Sequence, residues 1–226
     1  LEGVLGKVDK TANVQYRPGV LLDRDNPNPI QWGIGEAGDA DVIIAVFGVD
    51  PTLEGEEGDA IASADRGDRF KINMLKNQVS FLLKLKATGK PVVLVLTGGS
   101  PIIFPEDIAD AVLFVWYPGE EGGNAVADVL FGDISPAGRL PVTFPRSLKD
   151  LPAYRDYTMK GRTYRYMKKE PLFPFGFGLS YTKFKYTSLK LSSKKIRNGE
   201  SIKAEVSVRN TGSRTAEEVV QLYLTD

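Results

Sequence analysis

The sequence predicts an α/β fold followed by antiparallel β-structure. Three observations carry that expectation. Apolar, β-branched runs recur at residues 42–47, 92–96 and 111–116. A helical pattern separates the first two runs, and another follows the third. Towards the carboxyl end, helical periodicity gives way to strict alternation of apolar and polar side chains.

Residues 42–47 end at Gly48, residues 92–96 run into Thr97, Gly98 and Gly99, and residues 111–116 run into Tyr117, Pro118 and Gly119. Short continuous apolar runs read as strands buried on both faces, the habit of a parallel sheet. Between the first two, Leu75, Val79, Leu82, Leu83 and Lys86 share a helical face, with Asn73 as the cap and Gly89 at the stop. After the third, Ala125, Val126, Val129 and Leu130 form a stripe that ends at Gly132. Strands alternating with helices make βαβ units. Ligands of such sheets gather at the carboxyl ends of the strands. The segments after Gly48, Thr97 and Trp116 are therefore where a site is expected.

Residues 135–178 are rich in Pro, Gly and aromatics and show no sustained period, which reads as an ordered linker packed through its rings. From about Leu189 the pattern is that of strands. Ile202, Ala204, Val206 and Val208 alternate with Lys203, Glu205, Ser207 and Arg209, as in a half-buried antiparallel strand. A turn is expected at Asn210, Thr211 and Gly212, and Val220, Leu222 and Leu224 resume the alternation. An immunoglobulin-type sandwich fits this pattern, with too few strands to close it. Leu1 to Leu5 read as mid-domain sequence and the last residues as a strand that stops, so the expectation is a piece of a longer chain.

Composition narrows the chemistry. Among 226 residues there is no His and no Cys. That excludes from this chain Ser-His-Asp hydrolysis, imidazole acid/base catalysis, HExxH zinc sites, disulfides and thiol nucleophiles. Acid/base chemistry near neutral pH then falls to carboxylates, Lys or Tyr, with carboxylates foremost. Lys plus Arg and Asp plus Glu are equal at 29 each. This balance does not suggest nucleic acid or an anionic membrane as partner, both of which attract a clustered basic surface. No apolar run approaches the ~20 residues of a membrane-spanning helix. A neutral substrate fits, and no cofactor or metal is expected.

Several stretches together resemble glycoside hydrolase family 3, the β-glucosidase and β-xylosidase family. They are LEGEEGD at 53–59, GDR at 67–69, WYPGEEGG at 116–123, ADVLFGD at 127–133, PAGRLPVTFP at 136–145, GRTYRY at 161–166 and PLFPFGFGLSY at 171–181. The resemblance implies an amino-terminal (β/α)8 barrel that bears the nucleophilic Asp and is absent here. It also implies a three-layer α/β/α sandwich with a mostly parallel sheet, followed by a truncated fibronectin type III-like, immunoglobulin-related sandwich. On this basis residues 1–155 are the α/β-sandwich domain without its opening strand. Residues 156–187 are the aromatic linker, and 188–226 hold the first fibronectin-like strands. The implied activity is that of a retaining, exo-acting β-glycosidase, secreted or periplasmic. Its partners would be a β-linked oligosaccharide or β-glucoside and the missing barrel.

A retaining glycosidase needs two carboxyl groups about 5–5.5 Å apart, one a nucleophile and the other an acid that later serves as base. Glu54, Glu56, Glu57 and Asp59 crowd the segment after the first strand. Like-charge neighbours there would help such an acid keep its proton. The resemblance implies an acid/base Glu six positions beyond the strand end, which counted from Gly48 gives Glu54. Counting back from Asp59 favours Glu56. Both are candidates, Glu54 first. Asp68 and Arg69 are candidates to hold a sugar hydroxyl, or else simply pair with each other.

Blander readings compete at each position. Without the resemblance, an acidic surface loop is the better account of residues 54–59, and calcium is less favoured because EF-hand spacing is missing. The segment from Gly98 to Pro101 lacks the Lys-Ser/Thr ending of a P-loop and reads as a tight turn. Glu120 and Glu121 read as complements to a helix dipole. Trp116 and Tyr117 are a packed strand end in preference to a sugar platform. Two whole-chain alternatives remain, a non-catalytic carbohydrate-binding or scaffold module of the same fold and a nucleotide-binding α/β domain.

Overall fold

The computed structural model describes residues 1–22, 32–56, 59–63, 66–67 and 69–225. Two short helices, α1 (Glu2–Leu5) and α2 (Trp32–Ala37), precede strand β1 (Ile43–Gly48). Helix α3 (Lys76–Lys86) leads to β2 (Val92–Thr97) and β3 (Ala111–Trp116), and α4 (Gly122–Phe131) follows. The three strands form a parallel sheet in the order β1-β2-β3. Its register runs from Ile43 opposite Val92 to Gly48 opposite Thr97, and Val93 stands opposite Ala111. A second sheet pairs β4 (Phe184–Leu191) with β5 (Ala204–Asn210) in antiparallel fashion. The α/β architecture and the following antiparallel sheet are as the sequence predicts.

One face of the parallel sheet makes the core. Ala45, Val92, Leu94 and Leu96 pack there with Leu82 and Leu85 of α3, together with Met74, Ile102, Phe104 and Ile108. Phe47 meets Phe81 edge-on, with centroids 6.0 Å apart. Only β2 is enclosed as the sequence suggests. Val46 on β1 is 63% exposed, and Ala111 and Val112 of β3 are exposed too. β2 has a hydrogen-bonded strand on each side, whereas β1 and β3 are the outer strands of the described sheet.

The helices depart from expectation in detail. Leu75, not Asn73, is the N-cap of α3, because Asn73 forms a parallel bridge with Ile103. The buried stripe is Gln78, Leu82 and Leu85, and Leu83 is exposed. In α4, Ala127 is fully buried while Ala125 is exposed, and Gly132 closes the helix in the left-handed conformation expected of a C-terminal glycine. Near α4, Gly3 lies so close to Gly123 that a Cβ would stand 2.4 Å from its carbonyl oxygen.

The segment between the sheets packs through its rings. Phe144 touches Phe114, Trp116 and Phe173, and Tyr164 stacks on Phe175 at 4.5 Å and meets Tyr223 edge-on. β4 starts at Phe184, earlier than the alternation near Leu189 suggests. The strand expected around Val220, Leu222 and Leu224 does not form; these residues are exposed, and no described strand pairs with them. Nor is β5 half-buried, since nothing among the described residues covers its apolar face.

Candidate active site at the strand ends

Gly48 ends β1 with φ +139°, and a Cβ there would lie 1.9 Å from the carbonyl oxygen of Thr97. The chain can leave the sheet this way only without a side chain. It then folds on itself. Asp50 Oδ1 accepts from the backbone and hydroxyl of Thr52, and the Asp50 carbonyl accepts from the amides of Leu53 and Glu54, each at 3.0 Å. Gly55 completes the turn, pressed so near Pro51 that a Cβ would stand 2.3 Å from its carbonyl oxygen.

This turn delivers the Glu54 carboxylate to the ends of the other two strands. Ser100 Oγ donates a short hydrogen bond to Glu54 Oε1. The amide of Gly99 and the hydroxyl of Tyr117 each reach Glu54 Oε2 at 3.4 Å. Arg69 Nη1 stands 3.5 Å from the same oxygen. The Arg69 guanidinium is itself fixed, since Nε and Nη2 both donate to the Lys71 carbonyl, at 3.2 and 3.1 Å. The side chains of Glu54 and Arg69 are 18% and 11% exposed, so the pair is sheltered but reachable.

Tyr117 gets there through a local irregularity. Trp116 has φ +55°, and the β2–β3 register shifts between Leu96 and Thr97. The Trp116 ring packs on Phe114 with centroids 4.6 Å apart, while Tyr117 lies over Gly99, where a Cβ would meet its ring at 2.8 Å. Burial, then the nearby Glu54 charge, raises the Tyr117 phenol above its ordinary 10.0, so at neutral pH it is a donor.

The four candidates from sequence separate. Glu54 and Arg69 come together. Glu56 is exposed, and its side chain has no hydrogen-bond or ionic partner among the described residues; its backbone carbonyl accepts from Asp59 and Ala60. Asp68 lies outside the described residues, as does Glu57, so the expected Asp68–Arg69 partnership is left to its sequence argument. Among the described residues, Glu54 is met by donors and not by the acidic neighbours that the sequence suggests. The segment at Gly98 to Pro101, read as a tight turn, contributes the Gly99 amide and the Ser100 hydroxyl. Ser100 and Tyr117 escaped as members of the site because their residue types are common at strand ends. The signal that could have found them is topological: Tyr117 comes immediately after β3, and Ser100 lies in the turn that follows β2. A cleft of about 1190 Å³ shares Arg69 with this cluster, but its walls of Val49, Leu53, Met74, Val79 and Ile103 are mainly apolar and do not include Glu54.

Comparison with known proteins agrees with this architecture. The model of the Glycosyl hydrolase family 3 C-terminal domain matches residues 20–181. A xylan 1,4-β-xylosidase of Xylanibacter ruminicola is 47% identical over 185 residues, 80% of this chain and 21% of that protein. A periplasmic β-glucosidase of Salmonella typhimurium is 39% identical over 226 residues, 93% of this chain and 28% of its own length. This chain thus spans well under a third of either relative. The crystal structure of a Bifidobacterium adolescentis GH3 β-glucosidase superposes with a TM-score of 0.73 at 27% identity, over 88% of this chain and 30% of that one. A β-glucosidase structure from Erythrobacter marinus gives 0.70 at 38% identity, over 82% and 25%. By the extent of these matches, the chain belongs to glycoside hydrolase family 3.

Proposed function

We propose that this chain is the acid/base-bearing part of a retaining, exo-acting β-glycosidase that removes terminal non-reducing β-D-glycosyl residues, with Glu54 as the general acid/base. The carrying observation is that Glu54 is sheltered and met by groups following all three parallel strands, whereas the Glu56 side chain is exposed and has no partner among the described residues. The nucleophilic Asp belongs to an amino-terminal (β/α)8 barrel outside this chain, apposed to the strand ends. The relatives' names, β-glucosidase and β-xylosidase, support the substrate class, a β-glucoside or β-linked oligosaccharide. That one of them is periplasmic supports a periplasmic or secreted location.

In the first step the Asp attacks the anomeric carbon, the glycosidic bond breaks, and Glu54 passes its proton to the departing oxygen. In the second, Glu54 takes a proton from water, whose oxygen displaces the Asp and yields the sugar with its configuration retained. The Ser100, Gly99, Tyr117 and Arg69 donors suit the carboxylate of this second step. The first step needs a protonated acid. An apposed barrel takes water away, and a carboxyl group removed from water favours its neutral form.

In the full-length enzyme, Glu54→Gln is expected to lower turnover of alkyl glycosides by about 10²–10⁴-fold, the usual worth of a positioned proton donor. Azide restores turnover of activated aryl glycosides and gives a β-glycosyl azide. Unchanged alkyl-glycoside hydrolysis refutes the assignment. The isolated chain is expected to be inactive. Micromolar binding of glucose or xylose to it by calorimetry would instead favour a carbohydrate-binding module.

A further inference from the structure

We propose that Gln78 is a positioning residue for Glu54, acting through the end of β1; the inference rests on Glu54 being the acid/base. Gln78 occupies one position of the buried stripe of α3 that Leu82 and Leu85 continue, and it is only 1% exposed. Packing alone calls for an apolar side chain there, because an amide out of water is costly unless bonded. Its Nε2 donates to the Gly48 carbonyl at 2.6 Å. Only the amide NH2 group can face a carbonyl, so the orientation of the side chain is fixed. Oε1 is left buried without a hydrogen-bond partner among the described residues. An apolar core residue would carry no such orphan, and the bond to Gly48 is what the glutamine supplies.

Gly48 is where the chain leaves the sheet. The carbonyls on either side, of Phe47 and Val49, lie 3.3 and 3.4 Å from Thr97 Oγ1, and the amide of Val49 donates to the Thr97 carbonyl at 3.0 Å. The single proton of the Thr97 hydroxyl serves one of the two flanking carbonyls at a time, while Gln78 holds the Gly48 carbonyl between them. Two residues later, the Asp50 carbonyl receives the Glu54 amide. The path from Gln78 to the carboxylate is short and braced at each stage. Without the Gln78 bond the exit of β1 relaxes, and Glu54 shifts relative to Ser100 and to the leaving-group oxygen.

The test uses the full-length enzyme, normalised to active sites titrated with a mechanism-based fluorosugar. Gln78→Met keeps length and packing and removes the donor. The expected result is a roughly ten- to hundredfold fall in kcat/KM for an alkyl glycoside, the scale of a small misplacement of a catalytic group. For a 2,4-dinitrophenyl glycoside, whose leaving group needs no proton, kcat/KM stays within about twofold. In a Glu54→Gln background, Gln78→Met adds no further loss. An equal fall for both substrates means a merely structural role and overturns the proposal. If Gln78→Met does not yield folded enzyme, Gln78→Glu is followed with pH. Its protonated carboxyl can donate to Gly48, so the alkyl-to-dinitrophenyl ratio recovers toward wild type as pH falls, and a ratio that does not recover overturns the proposal. If Glu54→Gln leaves this ratio unchanged, the acid/base reading fails and the role of Gln78 fails with it. If Glu54→Gln lowers the ratio and Gln78→Met does not, only the role of Gln78 fails.

Discussion

Glu54 and Glu56 are two positions apart in one acidic stretch, yet their surroundings differ in kind. Glu54 has a hydroxyl, an amide, a phenol and a guanidinium around its carboxylate, while Glu56 faces solvent. Removing one donor to a charged acceptor typically costs ~1.5–3 kcal/mol. Ser100→Ala in the full-length enzyme is therefore expected to lower kcat/KM by about tenfold or more, with KM little changed, in steady-state assays. Tyr117 carries a pH prediction. Its folded pKa is raised, so any stability it lends is present below its unfolded value and is lost only as pH rises through the higher folded value. The Tyr117→Phe enzyme should therefore keep the wild-type alkaline limb of the pH–rate profile below about pH 10; a limb that moves would mean that Tyr117 itself titrates there. The motif LEGEEGD points to the acidic stretch from sequence. What sequence could not convey is which carboxylate turns inward, since that depends on Gly48, Gly55 and the register of two other strands.

At the scale of elements, the parallel strands were readable because continuous apolar, β-branched runs have few other stable arrangements. Cap and stripe were less readable. Helical period alone places Leu83 with Leu82, whereas the sheet chooses the face that carries Gln78, Leu82 and Leu85. Leu82 is fully buried beside Leu94 and Leu96 in the core, and Leu82→Ala should cost about 2–5 kcal/mol by urea denaturation. Val46→Thr, on the exposed face of β1, should stay within about 0.5 kcal/mol. Equal effects would mean that the burial pattern is misassigned. The carboxyl-terminal alternation illustrates the opposite failure. Residues 220–224 have the pattern of a strand but lack a described partner strand, and a strand exists only as part of a ladder.

Across the whole molecule, side chains tie the α/β part to the antiparallel sheet. Arg139 pairs with Glu218 at 2.7 Å, both side chains largely buried, and Tyr186 donates to the other Glu218 oxygen at 2.7 Å. Glu218 also raises the Tyr186 phenol, chiefly through that hydrogen bond. Arg214 donates to the Gly132 carbonyl and lies over the Tyr181 ring, whose hydroxyl reaches the Val129 carbonyl. Sequence located the aromatic part of this junction but not its ion pair, because partners 79 positions apart leave no local pattern. Glu218→Ala leaves Arg139 sheltered without its partner and should cost about 1–3 kcal/mol of stability; thermal unfolding should show it without change in kcat.

The most direct test of the central claim compares Glu54→Gln with Glu56→Gln in the full-length enzyme, reading kcat/KM for an alkyl against a 2,4-dinitrophenyl β-glycoside. The account predicts that Glu54→Gln lowers the alkyl-to-dinitrophenyl ratio by about a hundredfold or more and that Glu56→Gln leaves it near wild type. A ratio that collapses in Glu56→Gln, or that survives intact in Glu54→Gln, would contradict it.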